Sequence, residues 1–317
     1  MNRNNQVKYN IDFEMIILGC KLNFSITDNK LLELMSQDKI EIKKIRFSKD
    51  KNGSVLSGSF STIEPIEGYN YILFGFKALI INILVTIYGI ENLRIEDDVQ
   101  FNIINKEELK AANQPIIPCG SRFMVISPEV PEVSKDNFED RLRSVSLIQD
   151  KFYNTALWQY IAYSVTDLGK GKTIFDIISQ YRLLWTAFNS LYGELCPERT
   201  ERLSLEVYSG KSYVIEFFKS MMGCYSDYEN LKRLVNGNLF LRYGKENVSL
   251  KLEESIKNQD YKSISKYCIL CLYAIRNPII HGTAEGEQNL CRVGFAILNP
   301  LIKESLKREM VSQSKSN

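Results

Sequence analysis

Arg276 and His281 are the residues of this sequence best equipped for chemistry. They stand five positions apart in LYAIRNPIIHG, Leu272 to Gly282, and His281 is the only histidine among 317 residues. An unperturbed imidazole titrates near pH ~6.5, so it can take or give a proton at neutral pH. A guanidinium stays charged and can hold phosphate oxygens with its planar fork. Those parts suit a phosphodiester attacked by its own 2′-hydroxyl, which needs a base, an acid for the leaving oxygen and a cation for the phosphorane charge. One imidazole does not easily serve as base and acid together, so a two-fold dimer that brings two copies of the motif together is expected. An Arg at a helix end with a His as polar cap is also compatible with no chemistry at all.

The neighbours of the pair follow from helical geometry. Asn277 and His281 share a face at i, i+4, and Tyr273 lies one turn earlier on it. Pro278 lacks an N–H, and its ring meets the carbonyl of Ala274, so the helix is predicted to kink or stop near Asn277. Gly282 suits the left-handed cap beyond it. The helix that ends here, YKSISKYCILCLYAI over 261–275, is apolar nearly all round and reads as the central buried helix. Its partner is IFDIISQYRLLWTAFNSLYGEL, 174–195, where Ile174, Ile178, Tyr181, Trp185, Phe188 and Tyr192 form an apolar stripe. Ser179, Arg182, Thr186 and Asn189 form a polar one beside it, and Asn189 is a candidate supporting residue.

Around these two, a long helix is expected from Phe138 towards Asp167, closed by GKGK at 169–172. GKGK is not a phosphate-binding loop: the required glycine five residues before Gly171 is Thr166, and the stretch follows a helix instead of a strand. Further helices are expected at about 204–222, 227–236, 249–258 and 287–308. From residue 134 onward the chain reads as all-helical.

The N-terminal part has a different period. Residues 10–26 read as one or two strands, TDNKLLELMSQD as a short helix capped by Thr27 or Asp28, and KIEIKKIRFSKD as a half-buried strand with Ile40, Ile42, Ile45 and Phe47 inward. Asn52-Gly53 signals a hairpin turn into SVLSGSFSTI. A core helix over 69–90 and strands at 99–104 and 122–127 complete an α+β domain. Pro115, Pro118, Pro128 and Pro131 then exclude helix, and a boundary is expected near residue 133. The expected domains are thus 1–133, α+β, and 134–317, all-α.

Composition narrows the classes. Net charge is +2, too small for a global field that attracts polyanions, so a nucleic-acid contact must rest on a local patch. Seven scattered cysteines point to reduced thiols in a cytoplasmic protein. Cys268 and Cys271 sit on adjacent helical turns among Leu, Ile and Tyr, which reads as core, so no metal site or cofactor is expected. The N-terminus has too short an apolar core for a secretory signal. Residues 71–90 carry one charge, Lys77, and are long enough for a membrane anchor, but Lys77 and Asn82 favour a buried core segment.

Two of these stretches carry a family resemblance. LYAIRNPIIHG resembles the Arg-x4-His signature of the HEPN superfamily in its form Arg-Asn-x-x-x-His-Gly. YRLLWTAFNSLYG resembles the preceding helix of Apea-like and related bacterial HEPN groups, close to W-x-A-F-N-x-x-Y-G. The resemblance covers roughly 138–308 and does not extend to the first 133 residues. It implies a dimeric helical bundle and, in many members, a metal-independent endoribonuclease of toxin–antitoxin, abortive-infection or anti-phage systems. Other members are non-catalytic modules that bind RNA, a nucleotide or a protein. By position, Arg276 and His281 would be the catalytic pair and Asn277 a supporting residue, with RNA as substrate and an antitoxin or a phage-derived activator as possible partner. Asn189 stands where many Apea-like sequences carry a glutamate.

Overall fold

The computed structural model describes residues 8–51, 53–87, 94–95, 99–104, 132–146, 148–164, 174–241, 245–280 and 288–314. The chain divides into two compact units, one reaching Tyr153 and including the last residues from Gln313, the other spanning Asn154–Ser312. An antiparallel-sheet region comes first and a mostly helical region follows, which is the coarse organisation that the two hydrophobic periods predict.

In the first unit, β1 (Tyr9–Leu18), β2 (Ser25–Ile26), β3 (Ile40–Asp50) and β4 (Gly53–Thr62) pair in the order β2-β3-β4-β1. The far edge of β1 is shared by β5 (Arg94–Ile95) and β6 (Gln100–Ile103), all antiparallel. The period of two decides the faces: Ile11, Phe13, Met15 and Ile17 are buried, while Asp12 and Glu14 point outward. On β3 the register shifts between Ile42 and Lys44, so Lys43 is the extra residue of a bulge. That bulge reconciles the three-residue step from Ile42 to Ile45 with a single buried face.

Short helix α1 (Asn29–Leu34) is capped by the Asp28 carboxylate, which accepts from the Lys30 N–H at 2.9 Å. The apolar run after β4 is helical as far as Ile87: α2 (Pro65–Asn70), a π-helical turn Tyr71–Phe76, α3 (Lys77–Ile81) and a second π-helical turn Asn82–Ile87. It is the core segment expected of 69–90: Ile72, Phe76, Ile80, Ile83 and Leu84 are buried, as is Lys77. Among the described residues no helix is long and apolar enough to cross a membrane.

The boundary falls after Tyr153 instead of near residue 133. Helix α4 (Lys135–Ser146) belongs to the first unit because Phe138 packs 5.4 Å from Phe24 and 5.3 Å from Phe47, ring centre to ring centre. The single helix expected from Phe138 is two, α4 and α5 (Gln149–Ser164), and Phe152 has non-helical φ/ψ of −113° and 19°. Ser144 and Ser146 turn their hydroxyls back onto the carbonyls of Asp140 and Arg143, competing with the backbone ladder where the first helix ends.

The second unit is built on α11 (Tyr261–Ile280), whose Ile264, Cys268, Ile269, Cys271, Leu272 and Ile275 are fully buried. Packed on it are α6 (Ile174–Leu195), α7 (Glu201–Ser209), α8 (Ser212–Gly223), α9 (Tyr225–Asn236) and α10 (Val248–Lys257). Two paired two-residue strands, β7 (Phe240–Leu241) and β8 (Glu246–Asn247), precede α10, and α12 (Gln288–Ser314) closes the unit and runs past the end expected near 308. The one helix expected over 204–222 is two, broken at Gly210, a poor helix former, where Gly210 and Lys211 make three-residue turns onto Val207 and Tyr208. Helix α11 also continues through Pro278 to Ile280. In a last turn the ring costs one backbone bond to Ala274, and the buried stripe below holds the helix together.

Candidate functional site

Arg276 leaves α11 one turn before its end. The buried side of that helix is fixed by core contacts, including a 2.8 Å hydrogen bond from the Tyr181 hydroxyl to the Leu272 carbonyl. Three groups hold the guanidinium. Its Nη1 donates to Asn277 Oδ1 at 3.2 Å, its Nη2 lies 3.5 Å from Glu201 Oε1, and its carbon sits 5.6 Å from the centre of the Tyr273 ring. The Arg276 side chain is 20% exposed and that of Glu201 28%, so water screens the pair only in part.

Glu201 opens α7, behind the Thr200 cap, where a carboxylate interacts favourably with the helix N-terminus. The same Oε1 accepts from the Tyr192 hydroxyl at 2.8 Å, tying α6 to this corner. Burial raises the Tyr192 phenol pKa, and the Glu201 carboxylate raises it further. The Tyr273 phenol is pushed up by burial and by Glu201, with Arg276 opposing. Both tyrosines are therefore neutral hydrogen-bonding groups at physiological pH. Trp185 packs 6.0 Å from Tyr273, and its Nε1, like Arg276 Nε, is buried without a hydrogen-bond partner among the described residues.

Helix α7 is itself anchored by charge. Beside Glu201, Arg202 forms a fork with Glu246 at 2.9 and 3.2 Å, and Lys251 joins at 3.1 Å. Arg202 also bonds Glu206 at 3.0 Å, and Lys266 pairs with Glu206 at 3.2 Å. The Arg202 fork, against the cost of burial, holds the Glu246 carboxyl down to about 2. The helix that presents Glu201 is thus pinned by charge to β8 and to α11.

Of the residues expected from sequence, the fold brings Arg276, Asn277 and Tyr273 together. Asn189 is not with them: it is exposed on α6 and makes no hydrogen bond to Arg276. The apolar stripe Tyr181–Tyr192 rotates it outward, and Thr186 on the same polar stripe bonds back to the Arg182 carbonyl at 3.1 Å. His281 lies outside the described residues, as do GKGK, Asn52, Cys119, residues 122–127 and the four prolines of the connector. Glu201 and the hydroxyl of Tyr192 were not anticipated. The Thr-Glu start of α7 is a helix N-terminus signal, but nothing local links it to Arg276.

Six of the seven cysteines lie among the described residues. Cys20, Cys196, Cys268, Cys271 and Cys291 are buried free thiols and Cys224 an exposed one. Burial drives the Cys268 and Cys271 thiols far above their ordinary range, which disfavours the thiolate that metal binding or redox exchange requires. Among the described residues no group of His, Cys, Asp and Glu could hold a metal ion.

Comparison with family models, with curated protein sequences and with solved structures gave no match for this chain.

Proposed function

We propose that the second unit is a HEPN-type, metal-independent endoribonuclease module, acting as a toxin or in anti-phage or abortive-infection defence. RNA would be cut at a composite site, with Arg276 and His281 from each of two chains. The observation that carries this reading is the preparation of Arg276: a permanent cation on the last turn of the central buried helix, backed by Tyr273 and oriented by Asn277, five residues before the only histidine. A guanidinium so placed can donate two parallel hydrogen bonds to phosphate oxygens once Glu201 is displaced. His281 supplies proton transfer near neutral pH. The first unit would sense, recruit or restrain.

The test is cleavage of total RNA by purified wild-type protein beside His281→Ala and Arg276→Ala. Cleavage in EDTA that leaves 2′,3′-cyclic phosphate ends, abolished in both variants with the helical circular dichroism unchanged, is the expected result. Light scattering should show a dimer. A strict metal requirement, or full activity in either variant, would sink the mechanism.

One observation favours a second reading, a non-catalytic module that binds RNA, a nucleotide or a protein. Glu201 already neutralises Arg276, so the resting site presents little free positive charge. Saturable RNA binding by the wild type with no turnover would decide for that reading.

A further inference from the structure

The outward face of the sheet in the first unit holds a concavity of about 580 Å³ that the Arg276 site does not explain. That volume lies within the ~300–1,000 Å³ range of small-ligand sites. Its walls are set by strand register. Lys44 of β3 stands opposite Ser59 of β4, Ser59 opposite Asp12 of β1, and Asp12 opposite Asn102 of β6. The next outward rung repeats the pattern: Arg46, Ser57, Glu14, Gln100. Two cations therefore line one strand and two carboxylates another, with a strand of small hydroxyl residues between them and two amides beyond.

The bulge at Lys43 is what puts Lys44 and Arg46 on this face together. Small residues make the floor: Ser57, Gly58 and Ser59 raise no bulk between the walls, and at Gly58 a Cβ would fall 2.7 Å from the Phe13 ring. The two charged rows are two strand spacings apart, roughly 9–10 Å. Other exposed charges of β3 do pair where a partner is near, Glu41 with Lys8 and Lys49 with Glu132. Asp12, Glu14, Lys44 and Arg46 form no ion pair with one another or with any described residue, and all four are exposed.

Separated rows of opposite sign select a ligand of the same build. The carboxylates repel a polyanion such as a nucleic-acid strand, and the two aromatic residues of the lining, Phe13 and Phe101, pair on the inward register, with Phe13 buried and Phe101 packed on Phe60 and Tyr69. A ligand with an anion at one end and a cation at the other, joined by groups that bond to hydroxyls and amides, is complementary throughout. An extended peptide advances about 3.3–3.6 Å per residue, so three residues span roughly the distance between the rows. We propose that this concavity binds a short zwitterionic peptide of about three residues, its free carboxylate on Lys44 and Arg46 and its free amine on Asp12 and Glu14. The Ser57 and Ser59 hydroxyls would bond the peptide groups between, and the Asn102 and Gln100 amides, beyond the carboxylates, would flank the amine. This site is independent of the ribonuclease reading and would be a means by which the first unit recognises a partner or signal.

Titrating the full-length protein with triglycine, N-acetyl-triglycine and triglycinamide, by calorimetry or by NMR shifts, tests the assignment. Triglycine should bind at one site, and blocking either end should weaken it about tenfold or more. Arg46→Gln should weaken triglycine binding while no longer distinguishing it from triglycinamide. Glu14→Gln should do the same for the acetylated peptide. Both substitutions lie on an exposed face, and unchanged thermal unfolding verifies the fold. Absence of saturable binding up to about 10 mM, indifference to end-blocking, or unchanged binding in both variants overturns the proposal. So does binding of inorganic phosphate or a polyamine as tight as that of triglycine.

Discussion

Replacing Glu201 with glutamine removes one negative charge from the Arg276 corner and almost no volume. At 3.5 Å the bare Coulomb attraction is about 5 kcal/mol for an effective dielectric of about 20. Most of that is offset by desolvation and side-chain ordering. Both side chains are partly buried, which puts the net between the ~0.2–1 kcal/mol of exposed pairs and the ~3–5 kcal/mol of broken buried ones. The amide oxygen of the new side chain can still accept from the Tyr192 hydroxyl, so that bond weakens without vanishing. A destabilisation of about 1–2 kcal/mol is expected, which for a unit of this size lowers Tm by about 3–6 °C. Thermal unfolding of wild type, Glu201→Gln, Arg276→Gln and the double variant gives the coupling energy directly. Under the ribonuclease reading the freed guanidinium should also bind RNA about five-fold more tightly, the equivalent of ~1 kcal/mol. A coupling energy near zero would refute the claim that Glu201 holds Arg276. Weaker RNA binding in Glu201→Gln would refute the claim that it restrains it.

Glu246→Gln should destabilise the second unit by about 1–3 kcal/mol at neutral pH, because Arg202 and Lys251 lose their shared carboxylate. The sign of its pH dependence follows from the depressed carboxyl: the stabilisation is present above the ordinary value near 4.5 and is lost as pH falls towards about 2. Urea unfolding at pH 7, 4 and 3 should show the gap between variant and wild type shrinking; a gap that widens on acidification would contradict it. Gly58→Ala should cost about 1–3 kcal/mol, since the added methyl meets the Lys44 carbonyl and the Phe13 ring, and urea midpoints measure this. Asn189→Ala should change stability by less than about 0.5 kcal/mol and, under the ribonuclease reading, leave cleavage intact; a loss of cleavage would return that residue to the site.

Several features of this protein follow from short-range rules alone. Alternation of Ile11, Phe13 and Met15 with Asp12 and Glu14 fixes which face of β1 is buried, because side chains on a strand change sides at every residue. The step from Ile42 to Ile45 already contains the bulge of β3. The aromatic stripe of α6 and the all-round apolar surface of α11 assign both helices to a core, since each hydrophobic side chain removed from water favours burial wherever it can be found. Arg276, Asn277 and Tyr273 are legible as a group because one helical turn brings them together.

Tertiary packing decided the rest. Pro278 would end an isolated helix, but the buried stripe of α11 carries the last turn through it to Ile280. Phe138 follows the proline-rich connector in sequence and packs with Phe24 and Phe47, so contacts and not punctuation set the unit boundary. Glu201 reaches Arg276 only because α7 packs beside α11, and no periodicity links residues so far apart in the chain. The same holds for the rows Lys44–Ser59–Asp12 and Arg46–Ser57–Glu14, which exist only in the register of three paired strands. Local sequence sets which side of an element is apolar. Which charges face one another depends on how the elements pair and pack, and that is a property of the whole fold.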